Sequence, residues 1–158
     1  MDAAIHRPAV LDDAPRPFEV RRRSILELAP SGMPVEDAEA WAKKLMPSGM
    51  ERKLREFEIW IAERDDVIAG WGAIRGDVLE GLYTAPEYAG QGVGAALLDR
   101  LEALMRRRGI VAVHAEASSN AKAFYLRRGY RATGPQTAVG AWPITKQLLT
   151  SNQVRESI

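Results

Sequence analysis

The chain has 158 residues, 46% of them hydrophobic and 27% charged, with a formal net charge of +1. Those values fit one globular domain with a substantial core, and near neutrality gives no case for a nucleic-acid or membrane-surface partner. Cysteine is absent and the only histidines are His6 and His114, which excludes disulfides, thiol catalysis and cysteine or multi-histidine metal centres. No metal is expected. No apolar run reaches the ~18 residues that a bilayer span needs, and Met1 to Arg7 lacks the apolar core of a secretion signal. A cytoplasmic location is therefore expected.

In chain order, Ala4 to Val10 reads as a short first strand. Asp12 and Asp13 start a turn or helix whose beginning Pro15 and Pro17 make irregular, and from Phe18 the pattern is helical, carrying Val20, Ile25, Leu26 and Leu28 among Arg21, Arg22, Arg23 and Glu27. That arginine run could attract an acidic group or be solvated helix charge. Pro30 to Pro34 breaks the chain, Val35 to Leu45 resumes as a second helix, and Pro47, Ser48 and Gly49 are read as its end. Phe57 to Ala62 and Val67 to Ile74 predict an antiparallel hairpin turning at Arg64 to Asp66, and Gly76–Asp77 leads to a third strand, Val78 to Thr84. Gly70 and Gly72 share a face of the middle strand, where something approaches the backbone closely or a bulge forms.

Next come Gly90, Gly92 and Gly94, running into a helix whose Val93, Leu97, Leu98, Leu101, Leu104 and Met105 keep to one face. Asp99, Arg100, Glu102 and Arg106 to Arg108 are assigned to the other face, and Gly109 to the C-terminal cap. A glycine turn opening a helix presents free N–H groups at the positive end of the macrodipole, an arrangement suited to an anion. Ile110 to Ala117 is the next strand, parallel to Val78–Thr84 through a right-handed crossover. A short helix capped by Ser118 or Ser119 comes after it, stopped at Gly129. Tyr130 to Thr133 and Val139 to Leu148 close the chain, and Thr150 to Ile158 reads as a polar tail. The order β-α-α-β-β-β-α-β-α-β-β makes an α/β fold, a mixed sheet flanked by helices in a single domain. Apolar strand edges near the C-terminus could support a homodimer.

Which anion the glycines would hold is narrowed by spacing. A P-loop needs a lysine after its last glycine, and these glycines have none. Gly90, Gly92 and Ala95 fit a dinucleotide fingerprint, but Pro86 to Ala89 separate them from the strand and an antiparallel meander precedes them, so an NAD(P) site is disfavoured. The stretch LYTAPEYAGQGVGAALL, followed by EASSNAKAFYLRRGY, instead resembles the GNAT superfamily of N-acetyltransferases. The first segment is similar to that family's acetyl-CoA loop, the second to its later strand and its Asn-x-x-x-Phe-Tyr-x-x-x-Gly-aromatic ending. The family's element order matches this chain's, so the resemblance covers an acetyl-CoA-binding domain over residues 4–149, with 150–158 as the polar tail. Ala89 stands where the loop usually has Arg or Gln.

The resemblance implies direct acetyl transfer from the CoA thioester to a primary amine, small-molecule or peptide, in a ternary complex. It assigns cofactor contacts to Leu82, Tyr83 and Thr84 on the strand, to Gln91, Gly92, Val93, Gly94 and Ala95 on the loop, and to Asn120 and Phe124. Leu82 to Thr84 would also supply the N–H that stabilises the reacting oxygen. Tyr125 matches the family's tyrosine and would donate to the leaving thiolate. A lysine-like amine of pKa ~10.4 must shed its proton before attack, which costs about 4.6 kcal/mol at pH 7. Glu80 and Glu116 are the candidate acceptors of that proton, with His114 third. Arg21 to Ser24, Glu27, Trp41 and Trp71 are expected near the acceptor. A non-catalytic acyl-CoA sensor or scaffold is the alternative from another class.

Overall fold

The computed structural model describes residues 4–156, so the first part of the Met1–Arg7 segment and the last two residues of the expected tail lie outside the described residues. A seven-stranded sheet runs through it in the order β1-β2-β3-β4-β5-β7-β6. β1 (Ile5–Pro8), β2 (Glu58–Arg64), β3 (Val67–Arg75) and β4 (Val78–Thr84) are antiparallel neighbours. β5 (Ala112–Ala117) joins β4 in parallel, and β7 (Trp142–Gln147) with the two-residue edge strand β6 (Arg131–Ala132) completes the sheet antiparallel. This is the mixed sheet expected from the hydrophobic pattern.

Both faces are covered. On one lies α4 (Val93–Arg107), whose Val93, Leu97, Leu98, Leu101 and Met105 join Leu79, Val113 and Ile144 in the main core. The two strand glycines mark its seat. A Cβ on Gly70 would come 2.8 Å from the Tyr83 carbonyl oxygen, and one on Gly72 would come 2.7 Å from Leu101 Cδ1. Close packing, one of the two readings those glycines allow, is what they provide here. α5 (Lys122–Arg127) covers the same face through Tyr125. The other face carries α1 (Pro15–Glu27), α2 (Val35–Lys43) and α3 (Pro47–Glu56). Val20 and Met50 pack there on Ile59, Ile61 and Trp71.

The irregular start of the first helix is resolved, and three sequence expectations are corrected. α1 starts at Pro15, because a proline in the first helical turn loses only an N–H that has no intrahelical partner. Pro47 opens α3 rather than closing α2, for the same reason, after an extended Met46. Neither Ser118 nor Ser119 caps α5 with its side chain; the Ser118 carbonyl accepts from the N–H of Ala121 and Lys122 instead. Ser151–Glu156 of the polar tail form a short helix, α6.

Candidate active site

The site begins with a defect in β4. Gly81 pairs with Ala73, but the next partner, Ile74, meets Leu79, so Glu80 is an extra residue bulged out of the ladder. Its position sets which way the strand's groups point. The Ala85 N–H bonds to the Ala69 carbonyl, and narrow and wide pairs alternate along an antiparallel ladder. Tyr83 and Gly81 therefore bond to β3, while the backbone groups of Leu82 and Thr84 point away from it, toward β5. The bulge also turns Glu80 off the α4 face: Leu79 and Leu82 pack in the α4 core, whereas Glu80 Oε1 meets Lys53 Nζ of α3 at 3.3 Å.

β5 does not receive those backbone groups. It pairs with β4 only at Val78–His114 and Leu79–Ala115, and beyond that the strands separate. The fork opens into a cleft of about 1130 Å³, lined on its strands by Glu80, Leu82, Tyr83, His114 and Glu116. Glu80 and Glu116 are the first residues past the last pair on either prong, and both lie on the face away from α4, as Ala115 and Ala117 pack into the α4 core. The structure thus brings together Leu82, Tyr83, the two carboxylates, His114 and Tyr125 around one cleft.

Tyr125 reaches it from α5 and is 6% exposed. Its ring meets Phe124 and Tyr130 edge-on at 5.2 and 5.3 Å. Burial, and then the neighbouring Tyr83 phenol, hold the Tyr125 hydroxyl well above the ordinary phenol range, so it stays protonated at neutral pH. His114 is fixed by Thr145, whose hydroxyl donates to the Val113 carbonyl and so is left to accept, 3.2 Å away, from His114 Nδ1–H. In the neutral ring Nε2 then carries the lone pair, and Asp77 Oδ2 lies 3.7 Å from it. Asn120 accepts from the Ser118 hydroxyl at 2.7 Å. The Gly32 turn between α1 and α2 packs so tightly on Asn120 that an added Cβ would sit 2.5 Å from its backbone nitrogen. That contact closes one side of the cleft.

The glycine loop lies at the far end of β4. Gly90 and Gly92 have φ of +74° and +83° with nothing near an added Cβ, so left-handed backbone, not crowding, selects glycine at both positions. Gly94 is different: its Cβ would touch Thr84 Oγ1 at 3.1 Å. The first intrahelical bond runs from the Ala96 N–H to the Gly92 carbonyl, which leaves the N–H groups of Val93, Gly94 and Ala95 without intrahelical acceptors. Gln91 does not extend its side chain outward. Its amide donates to the Glu87 carbonyl at 3.0 Å and its Oε1 accepts from Arg64 at 3.1 Å. Glu87 is clamped in turn by Arg16 and Arg23, each at 2.9 Å. Its carboxyl is held below the usual range by its own backbone N–H and by Arg16.

Two sequence assignments fall elsewhere. Trp71 is a core residue, 1% exposed, with its indole N–H donating to the Pro17 carbonyl, so it does not face an acceptor. Glu102, assigned to the solvent side of α4, is 2% exposed because Tyr130 and β7 cover it; Tyr130 OH and Lys146 Nζ donate to it at 2.8 and 2.7 Å. The sequence reading missed the cations of α3, including Lys53 beside Glu80, along with that helix. Among the described residues, no group of three or more His, Asp or Glu could hold a metal ion, and no helix is long and apolar enough to cross a membrane.

A forked β4–β5 seam, a bulge at its crotch and a glycine-opened helix at its end thus come together along β4. The family model for the acetyltransferase (GNAT) domain matches residues 29–146, and the chain belongs to that family. The GCN5-related N-acetyltransferase from Rhodopseudomonas palustris superposes with a TM-score of 0.85 at 29% identity, covering 93% of this chain and 97% of that one. The PaiA N-acetyltransferase of Thermoplasma acidophilum, solved in complex with coenzyme A, shares the fold at 21% identity, with a TM-score of 0.77 and coverage of 92% and 99%. The peptidyl-lysine N-acetyltransferase YjaB of Salmonella typhimurium is 30% identical over 82 residues, which are 51% of this chain and 55% of that protein. The chain thus spans about half the length of that relative.

Proposed function

We propose that the protein moves the acetyl group of acetyl-CoA directly onto a primary amine, and that the fork between β4 and β5 is where the two substrates meet. The observation that carries this is the pair of unshared backbone edges at Leu82 and Thr84, of which Leu82 lines the cleft where a sheet would otherwise continue. An extended pantetheine arm can take the place of the missing strand, hydrogen-bonding those edges as an added strand would. The N–H groups of Val93 to Ala95 then receive the pyrophosphate at the positive end of α4. Asn120 and Phe124 flank the same arm from the β5–α5 side. Gln91 contributes by bracing the loop through Glu87 and Arg64. That the Thermoplasma relative of the same fold was solved in complex with coenzyme A supports this reading.

The amine enters from the α1–α3 face, where Glu80 and Glu116 stand at the crotch of the fork. One of them, directly or through water, takes the amine proton. We favour Glu80, because the bulge aims it to that side and Lys53, 3.3 Å away, holds it in position. As the C–N bond forms, negative charge builds on the carbonyl oxygen, and the N–H of Leu82 or Thr84 points into the seam to receive it. The C–S bond then breaks, the thiolate departs, and the nitrogen's remaining extra proton passes through water to the thiolate, leaving a neutral amide and a free thiol. A phenol held above its ordinary pKa gives up its proton less readily than a thiol of pKa ~8.5. Tyr125 therefore acts by hydrogen-bonding the developing thiolate rather than by delivering a free proton. The name of the Salmonella relative points to lysine side chains as one acceptor type. The expected cytoplasmic location goes with this reading.

Calorimetry with acetyl-CoA and release of free thiol across an amine panel test it. Binding with turnover is expected; binding without any turnover would favour the sensor reading, and no binding would sink both. In the Tyr125→Phe variant kcat should fall about 10²- to 10³-fold at unchanged acetyl-CoA affinity.

A further inference from the structure

A second cavity, of about 260 Å³, opens between α1, α2 and α3, and every charged residue lining it is a cation: Arg21, Lys44, Arg52 and Lys53. Lys44 and Arg52 are exposed, whereas Arg21 and Lys53 are half-buried. Among the described residues only Lys53 has an acidic partner, Glu80 at 3.3 Å; Arg21, Lys44 and Arg52 form no ion pair. Arg21 is the most telling. Its guanidinium lies 5.4 Å from the centre of the Tyr83 ring, and its Nε is covered from solvent with no hydrogen-bond acceptor. A buried donor without an acceptor lowers stability until one arrives. The first turn of α3, at Ser48 to Met50, also lines the cavity and adds the positive end of its dipole.

The cavity is an annex of the cleft. Lys44 lines both, Arg21 stacks on Tyr83 of the cleft, and Lys53 bridges to Glu80. We infer that the annex binds an oxyanion, a carboxylate or phosphate, carried by the acceptor itself, so that the acceptor is a small amine with an anionic group of its own. This rests on the acetyltransferase function proposed for the cleft. The cations of the annex, three of them without an acidic partner, repel a bare diamine or polyamine, while a planar guanidinium with an unpaired donor matches a carboxylate or phosphate oxygen. The acceptor's anionic end would be anchored beside Tyr83 and its amine presented at Glu80.

Matched acceptors test the inference by thiol release: 4-aminobutyrate against butylamine, phosphoethanolamine against ethanolamine, lysine against 1,5-diaminopentane, and an end-blocked lysine peptide without acidic residues. The anionic member of at least one pair should be favoured by about tenfold or more in kcat/KM, mostly through KM. Whether the carboxylate or the phosphate pair responds identifies the oxyanion. In Arg21→Gln/Arg52→Gln, and in Lys44→Gln/Arg52→Gln should the first pair unfold, the preference should collapse at unchanged acetyl-CoA affinity. Equal rates within every pair, preference for the diamine or the uncharged peptide, or a preference that survives both variants would overturn it. If no acceptor is turned over, inorganic phosphate decides. Saturable binding that the variants lose supports the annex, and no binding overturns it. Loss of acetyl-CoA binding by the unmodified protein would instead overturn the acetyltransferase reading, and is read in a separate titration.

Discussion

On the α4 face of the sheet the working groups, Tyr125 apart, are backbone: the N–H donors of Val93 to Ala95, the open edges of Leu82 and Thr84, and glycines chosen for their φ or for what lies against them. On the α1–α3 face they are side chains: Glu80, Glu116 and His114 on the strands, with Arg21, Lys44, Arg52 and Lys53 above them. A backbone cradle depends on chain conformation and so accepts the same phosphate and pantetheine whatever the neighbouring side chains. A cup of side chains can be altered one residue at a time, which suits the half of the reaction that must choose an acceptor. If that division is real, damage to the first face should abolish cofactor binding, and damage to the second should change only what is acetylated.

The largest effect is expected at Gly92. Gly92→Asp forces a β-carbon onto a residue at φ +83°, straining it by about 1–2 kcal/mol. It also sets a carboxylate beside the phosphates, where like charges cost several kcal/mol. Acetyl-CoA affinity should drop by more than about 100-fold in calorimetry while the protein still melts cooperatively. Unchanged affinity would mean that the glycine loop is not the cradle.

Next in size is Glu102, an exception to the backbone character of its own face. It is a carboxylate of α4, buried beneath Tyr130 and β7 and held by Tyr130 and Lys146. Glu102→Ala leaves the Lys146 ammonium, 20% exposed, without its partner, and should lower unfolding free energy by about 3–5 kcal/mol in a denaturant titration. Because Tyr130 also supports the Tyr125 ring, the variant should lose kcat as well.

How legible these two faces are in the sequence depends on the same division. Backbone needs leave a pattern. Gly90, Gly92 and Gly94 before an apolar stripe marked α4 and its N-terminus, and β-branched alternation marked the strands. The Asn120 to Tyr130 spacing located Tyr125. The α1–α3 face left much less. Pro47, Ser48 and Gly49 are equally good at ending one helix and beginning another, and reading them as an end removed α3 together with Arg52 and Lys53. The bulge at Glu80 has no local signal, since it arises from how β3 and β4 register against each other. Glu102 sits among charged neighbours and only the return of Tyr130 and β7 across α4 buries it.

The smallest effect separates the two tyrosines of the α4 face from ordinary surface phenols. Burial raises Tyr130, with Glu102 adding to the shift, and burial raises Tyr125. A phenol whose folded pKa exceeds its unfolded value near 10 contributes stability that is fully present below pH ~10. That contribution is lost as the pH rises toward the folded value, because only the unfolded chain releases the proton. One pH unit above 10, each tyrosine should therefore have cost the fold about 1.4 kcal/mol. Melting temperatures compared at pH 8 and pH 11 should fall for the unmodified protein and fall less for Tyr130→Phe, even though that variant starts lower for want of the bond to Glu102. An equal fall in both would mean that the Tyr130 phenol titrates as if exposed. The support it gives Tyr125 from beneath the cleft would then have to come from ring packing alone.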